Sequence, residues 1–119
     1  MALLTLTAQP LQKALPLNLT GALVSLGANT GVTFVNTGRE ILAVSVGATP
    51  TTPTSDIWLT IQGQSVPGVS GGPLATNAIA LLGPWPSQFN RTDGSYQVQV
   101  DFSAQTNVSV ALLQVPGVA

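Results

Sequence analysis

Tyr96-Gln97-Val98-Gln99-Val100-Asp101-Phe102 alternates apolar and polar side chains without a break. A period of two puts Tyr96, Val98, Val100 and Phe102 on one face of a strand and Gln97, Gln99 and Asp101 on the other. This is the pattern of a half-buried antiparallel strand. Asp93-Gly94 just ahead of it supplies the positive-φ residues of a tight turn. Residues 103–107 behind it lead into Val108-Ser109-Val110-Ala111-Leu112-Leu113-Gln114-Val115, a second β-branched run. The pair reads as a C-terminal hairpin.

Working outward, Val32-Thr33-Phe34-Val35-Asn36 and Ile41-Leu42-Ala43-Val44-Ser45-Val46 flank the polar turn Thr37-Gly38-Arg39-Glu40. They read as a second hairpin with Val44 and Val46 inward. A fifth strand is expected over 57–64, with Ile57, Leu59 and Ile61 inward and Trp58, Thr60 and Gln62 opposite. A sixth is expected over 78–82, ending at Gly83-Pro84-Trp85-Pro86. Residues 15–25 suit one more strand or a short helix over 20–26, whereas the Pro and Gly of 49–55 and 66–73 mark loops. The expected fold is all-β: a single-domain antiparallel β-sandwich or jelly roll of about 6–8 short strands. Residues 17–119 form the sandwich, and residues 1–16 form an extended N-terminal arm or an edge strand of the same sandwich.

Composition narrows the function. Three basic and four acidic residues make up 6% of the 119-residue chain, against about a quarter in an ordinary soluble domain. Histidine and cysteine are absent, and mean hydropathy is +0.41. Lys13, Arg39 and Arg91 are too few and too scattered to neutralise a run of phosphates, which excludes nucleic acid as a partner by the electrostatic route. The same scarcity excludes a polybasic membrane anchor. No apolar run approaches a membrane span, and the opening MALLTLTAQP lacks the basic start and unbroken apolar core of a signal peptide. The sequons at Asn18, Asn90 and Asn107 are of a kind that chance supplies in a Thr- and Ser-rich chain.

Without His or Cys, the commonest general base, the thiol nucleophile and the nitrogen and sulfur metal ligands are missing. Glu40 and Asp56 remain as a conceivable glycosidase pair, but Glu40 beside Arg39 in a turn reads as a solvated ion pair. Calcium needs several oxygens gathered in one loop, and no loop holds more than one carboxylate. Asp93 therefore reads as a turn residue and Asp101 as the solvent side of its strand. Gly63, Gly71 and Gly72 lack the lysine and following helix of a phosphate loop. No catalytic, cofactor-binding or metal-binding residue is expected.

Phe34, Tyr96 and Phe102 fall on inward faces and are expected in the core. Trp58 falls opposite Ile57 and Leu59, so its indole could stack on a sugar, cover a partner protein or pack beneath a loop. Trp85, between two prolines, is equally open. In residues 1–16 the candidates for contact are Leu3, Leu4, Leu6, Leu11 and Leu15.

The passage Gly83-Pro84-Trp85-Pro86-Ser87-Gln88-Phe89-Asn90, then Asp93-Gly94, then the 96–102 strand, and the close Thr106-Asn107-Val108-Ser109-Val110-Ala111-Leu112-Leu113 resemble small head structural proteins of tailed bacteriophages. The nearest group is the capsid decoration, or cement, proteins. The resemblance covers the last third well, the first residues loosely and the middle hardly at all. It implies a β-rich protein on the virion exterior, made in the host cytoplasm, bound to the major capsid protein and to itself as a homotrimer. It carries over no catalytic residue and no cofactor. On this reading the interface candidates are Leu3, Leu4, Leu6, Leu11, Trp58, Trp85 and Phe89. The alternatives are another head-tail or tail protein, or a carbohydrate-binding β-sandwich module.

Overall fold

A computed structural model describes residues 2–12, 16–58 and 60–116. In chain order the elements are β1 (Leu3–Thr5), β2 (Gln9–Pro10), the one-turn helix α1 (Leu19–Ala22), β3 (Val24–Ser25), β4 (Gly31–Val35), β5 (Glu40–Val46) and β6 (Pro53–Ser55). There follow β7 (Thr60–Ile61), β8 (Gln64–Ser65), β9 (Val69–Ser70), β10 (Ile79–Leu82), a 3-10 turn at Ser87–Phe89, β11 (Gln97–Phe102) and β12 (Val108–Gln114). One sheet runs β1-β4-β11-β6-β9; the other runs β10-β5-β12-β2, with β3 also on β12. The fold is an all-β sandwich only 21 Å in its shortest dimension, the thickness of two stacked sheets with their side chains.

The alternation of 97–102 sets the core. Val98, Val100 and Phe102 meet Val32 and Phe34 of the same sheet and Leu42, Val44, Val46, Val108, Val110 and Leu112 of the other, all at 6% exposure or less. Burying each such side chain is worth about 1.5–3 kcal/mol. The opposite face of β5 and β12 presents Ala43 and Ala111, which are small enough for α1 to lie on them through Ala22, Leu19 and Leu23. Asn18 caps that turn by accepting from the Gly21 N–H.

Neither expected hairpin forms. β4 pairs with β1 and β11, while β5 pairs with β10 and β12; β11 and β12 likewise lie in different sheets. Residues 36–39 and 103–107 carry the chain across the sandwich instead of back along one sheet. Alternation specifies that each strand has one buried face, and an arch satisfies that as well as a hairpin does. Two pairings, β1 with β4 and β2 with β12, are parallel, so both sheets are mixed rather than purely antiparallel.

Other expectations need adjustment. The 57–64 strand contracts to β7, which turns back at Gln62 (φ 52°) and Gly63 (φ 80°) onto β8. This is the two-residue, positive-φ turn that matches strand twist. Ile57 still packs on the core, and Leu59 lies outside the described residues, as do Lys13 and Leu15. The presumed loops 49–55 and 66–73 contribute β6 and β9, with Pro53 opening β6 where a missing N–H is tolerated. Tyr96 turns outward at 65% exposure, because its φ of 55° ends the alternation one residue before β11 begins.

Candidate functional site

Residues 2–12 are largely spoken for by the sandwich itself. Leu3 and Leu4 sit in β1 on the edge of the first sheet, and Leu4 and Leu6 pack against the core. The chain then crosses to the other sheet, where the Leu11 N–H donates to the Gln114 carbonyl at 2.9 Å. Leu3, Leu4, Leu6 and Leu11 are all half-buried.

Trp85 and Phe89 are corrected outright as contact candidates: both belong to the core, at 5% and 8% exposure. The Trp85 ring lies 5.0 Å from that of Phe34, tilted by 60°, and its Nε1–H donates to Ser55 Oγ at 2.9 Å. Asn36 Nδ2 donates to the Trp85 carbonyl and to Asn90 Oδ1, tying this segment to the β4–β5 arch. Gly83 precedes it at φ 104°, where a Cβ would come within 2.7 Å of the Trp85 ring and 2.8 Å of the Glu40 carbonyl. The Gly-Pro-Trp-Pro passage thus plugs one side of the sandwich. A shallow recess of about 210 Å³, bordered by Pro53, Val69, Leu82, Trp85 and Phe89, remains open beside it.

The polar face of β11 is covered rather than solvated. Gln99 is 6% exposed, with Arg91 bonded to its side chain. The Asp56 N–H donates to the Gln99 carbonyl, Gln99 Nε2 donates to Asp101 Oδ1 at 2.9 Å, and Arg91 donates to Gln99 Oε1. The Arg91 guanidinium lies 4.7 Å over the half-buried Trp58 ring, a cation–π stack. Trp58 Nε1 and Arg91 Nε are buried with no hydrogen-bond partner among the described residues.

Two carboxylates meet in this cluster although they are far apart in sequence. Burial, a hydrogen bond with Asp101 and the Asp101 charge push the Asp56 carboxyl up to about 7, against the opposing pull of Arg91. The folded protein therefore holds a proton at Asp56 that the unfolded chain releases near 3.8. Stability from this group is greatest below the unfolded value and declines as pH rises from about 4 to about 7. A shift this large is formally worth ~4 kcal/mol; solvent screening of a half-exposed group reduces it to ~1–2 kcal/mol. Urea melts of the wild type are expected to show that loss between about pH 4 and pH 8, and Asp56→Asn should abolish it. An Asp56→Asn protein with an unchanged pH slope would refute the assignment.

Glu40, expected as a solvated partner of Arg39, is 1% exposed. Its carboxylate accepts from the Thr37 N–H (2.6 Å), Thr37 Oγ1 (2.7 Å) and Gln114 Nε2 (3.0 Å). Burial pushes its carboxyl up, but these hydrogen bonds outweigh burial and hold it below its ordinary value. Glu40 opens β5 in one sheet and Asp56 follows β6 of the other, each engaged with its own partners. Asp93 accepts from the N–H and Oγ of Ser95, which together hold its carboxyl low, as suits a turn residue.

The exposed apolar side chains are elsewhere. Val24, Val35, Ile61, Val69, Ile79, Leu81, Tyr96 and Val115 are each at least 39% exposed. Among the described residues Ile79 and Leu81 are the barest large aliphatics, at 65% and 64%, on the outer face of edge strand β10. In the sequence the run 78–82 is apolar at every position, which conceals that only alternate residues find a core. Compared with family models, curated proteins and solved structures, the chain finds no match.

Proposed function

We propose that this chain is a non-enzymatic virion structural protein. Specifically, it is a capsid decoration (cement) protein that binds the outer surface of the major capsid protein lattice of a tailed phage and stabilises the head, with copies of itself arranged as trimers. The observation that carries the reading is the surface: large aliphatic side chains stand exposed on a chain with almost no charge to keep a free monomer solvated. A repeating lattice can cover such a surface. The resemblance of residues 83–102 and 106–113 to phage head proteins points the same way. The first β-strands, Leu3, Leu11 and the Trp58 region are the candidate contacts that keep some exposure.

A sugar-binding module is less well supported, because Arg91 lies over the Trp58 ring that would serve as the stacking platform. The alternative of a head-tail or tail component differs in copy number, which is hundreds per particle for decoration and far fewer for a connector. The test is to mix purified protein with undecorated capsids of the phage whose head genes encode it and to image the particles. Added density at the three-fold or quasi-three-fold positions is the expected result, and bare shells would dismiss the proposal. Because the contact relies on apolar area and neutral hydrogen bonds, binding is expected to survive transfer from low to molar salt. Release by salt alone, measured by sedimentation of the particles, would contradict that.

A further inference from the structure

We propose that strand β10 is a self-association edge, where two copies of this chain pair their β10 strands antiparallel about a two-fold axis. The argument starts from hydrogen-bond phase and is independent of any capsid. In the β10–β5 ladder the Val46 N–H donates to the Ala78 carbonyl at 2.8 Å. In an antiparallel ladder the bonded residues alternate, so Ala80 and Leu82 also face β5 while Ile79 and Leu81 direct their N–H and C=O groups to the open side. No described residue bonds to those four groups.

A bare strand edge is a template for another strand, and proteins usually blunt it with charge, proline, a bulge or a covering segment. β10 has none of these within Ile79–Leu82; its one safeguard is its length of four residues. Its outward side chains are the two most exposed large aliphatics among the described residues. No charged residue occurs anywhere from Ile57 to Asn90, so two copies meet here without like-charge repulsion.

The occupant follows from self-complementarity. Centring the two-fold axis on Ala80 sets Ile79 of each copy opposite Leu81 of the second copy, in the bonded phase. All four free groups of each strand are then satisfied, and the exposed Ile and Leu side chains become cross-strand neighbours on one face. The four-strand path β10-β5-β12-β2 continues across the axis into that of the second copy. This two-fold contact is separate from any three-fold arrangement on a shell.

The absence of cysteine makes the test clean. Ala80 would face Ala80 of the second copy in the non-bonded phase, where Cα separations of about 4.5 Å accept a disulfide. Ala80→Cys is expected to give a covalent dimer under mild oxidation, and Ser70→Cys, on exposed edge strand β9, is expected to give little. Adding Leu81→Lys to Ala80→Cys should cut the dimer yield by about tenfold, since it places a lysine in each apolar cross-strand pair. Leu81 is exposed, so the lysine variant should melt as the wild type does, which separates loss of pairing from loss of folding. Sedimentation of the wild type should show a concentration-dependent monomer–dimer equilibrium that Leu81→Lys abolishes. A wild type that stays monomeric at all concentrations, equal cross-linking at 70 and 80, or cross-linking indifferent to Leu81→Lys would each overturn the proposal. Because no capsid is present, these outcomes are independent of whether the protein decorates one.

Discussion

Trp85→Ala is expected to destabilise the protein by about 3–5 kcal/mol, among the largest effects any single substitution can have here. The indole fills the side of the sandwich against Phe34, and its Nε1–H is matched to Ser55 Oγ. Truncation removes the ring's burial, leaves a cavity next to an existing recess and strands the Ser55 hydroxyl. At about 4 °C per kcal/mol for a chain of this size, the melting temperature should fall by ~12–20 °C. Trp85→Phe keeps the ring contact but not the hydrogen bond and should cost about 1–2 kcal/mol. Thermal melts by circular dichroism read both. A Trp85→Ala protein that melts like the wild type but no longer assembles would instead make Trp85 an interface residue.

Glu40→Ala is expected to cost about 3–4 kcal/mol. Three donors converge on that carboxylate from Thr37 and Gln114, so removing it leaves the Thr37 N–H and hydroxyl without their acceptor in the bend that links the two sheets. Glu40→Gln preserves shape but turns an amide NH₂ toward groups that are themselves donors, and should cost at least half as much. The sign with pH is opposite to that of Asp56. The Glu40 carboxyl is held low in the folded protein, so its stabilisation is present above the ordinary value of 4.5 and is lost as pH falls through the lower folded value. Denaturant melts at pH 7 and pH 3 should therefore differ less for Glu40→Ala than for the wild type. An equal pH 7 to pH 3 loss in both proteins would show that Glu40 carries none of the acid sensitivity.

These two residues mark the boundary of what sequence pattern conveys. Alternation located β11 with its inward Val98, Val100 and Phe102, and short apolar or β-branched runs between turn signals located β4, β5, β10 and β12 with Phe34, Val44 and Val46 inward, because such patterns are one-dimensional properties of the chain. Tyr96 escaped it through a single positive φ, and β6 and β9 hid among prolines and glycines that shorten strands without forbidding them. Glu40 was misplaced because a charged residue after Gly-Arg reads as solvent-facing. Its burial is made tolerable by the Thr37 N–H and hydroxyl three residues away and by Gln114, which β12 returns to a place opposite Glu40. Trp85 was ambiguous because its environment comes from β4 and β6, 51 and 30 residues away in the chain at Phe34 and Ser55.

The candidate surface divides in the same way. The near-absence of charge, and with it the bias toward apolar contact, is a composition that no folding can alter. Where that apolar surface lies is another matter: seven leucine and aromatic candidates chosen from sequence proved half-buried or core, while Ile79 and Leu81 emerged as the open pair. The Asp56–Asp101 contact likewise joins a carboxylate on β11 to one just past the end of β6, which β11–β6 pairing brings side by side.

The sequence by itself determined a strand-built, nearly neutral chain without histidine or cysteine, since periodicity and composition are local and additive. Tertiary structure alone decided that the turns at 36–39 and 103–107 are arches between sheets, that β10 is left at an edge and that Glu40 is buried. Each of these depends on which strands lie side by side, and pairing energy is settled by partners distant in the chain rather than by the residues that carry the pattern.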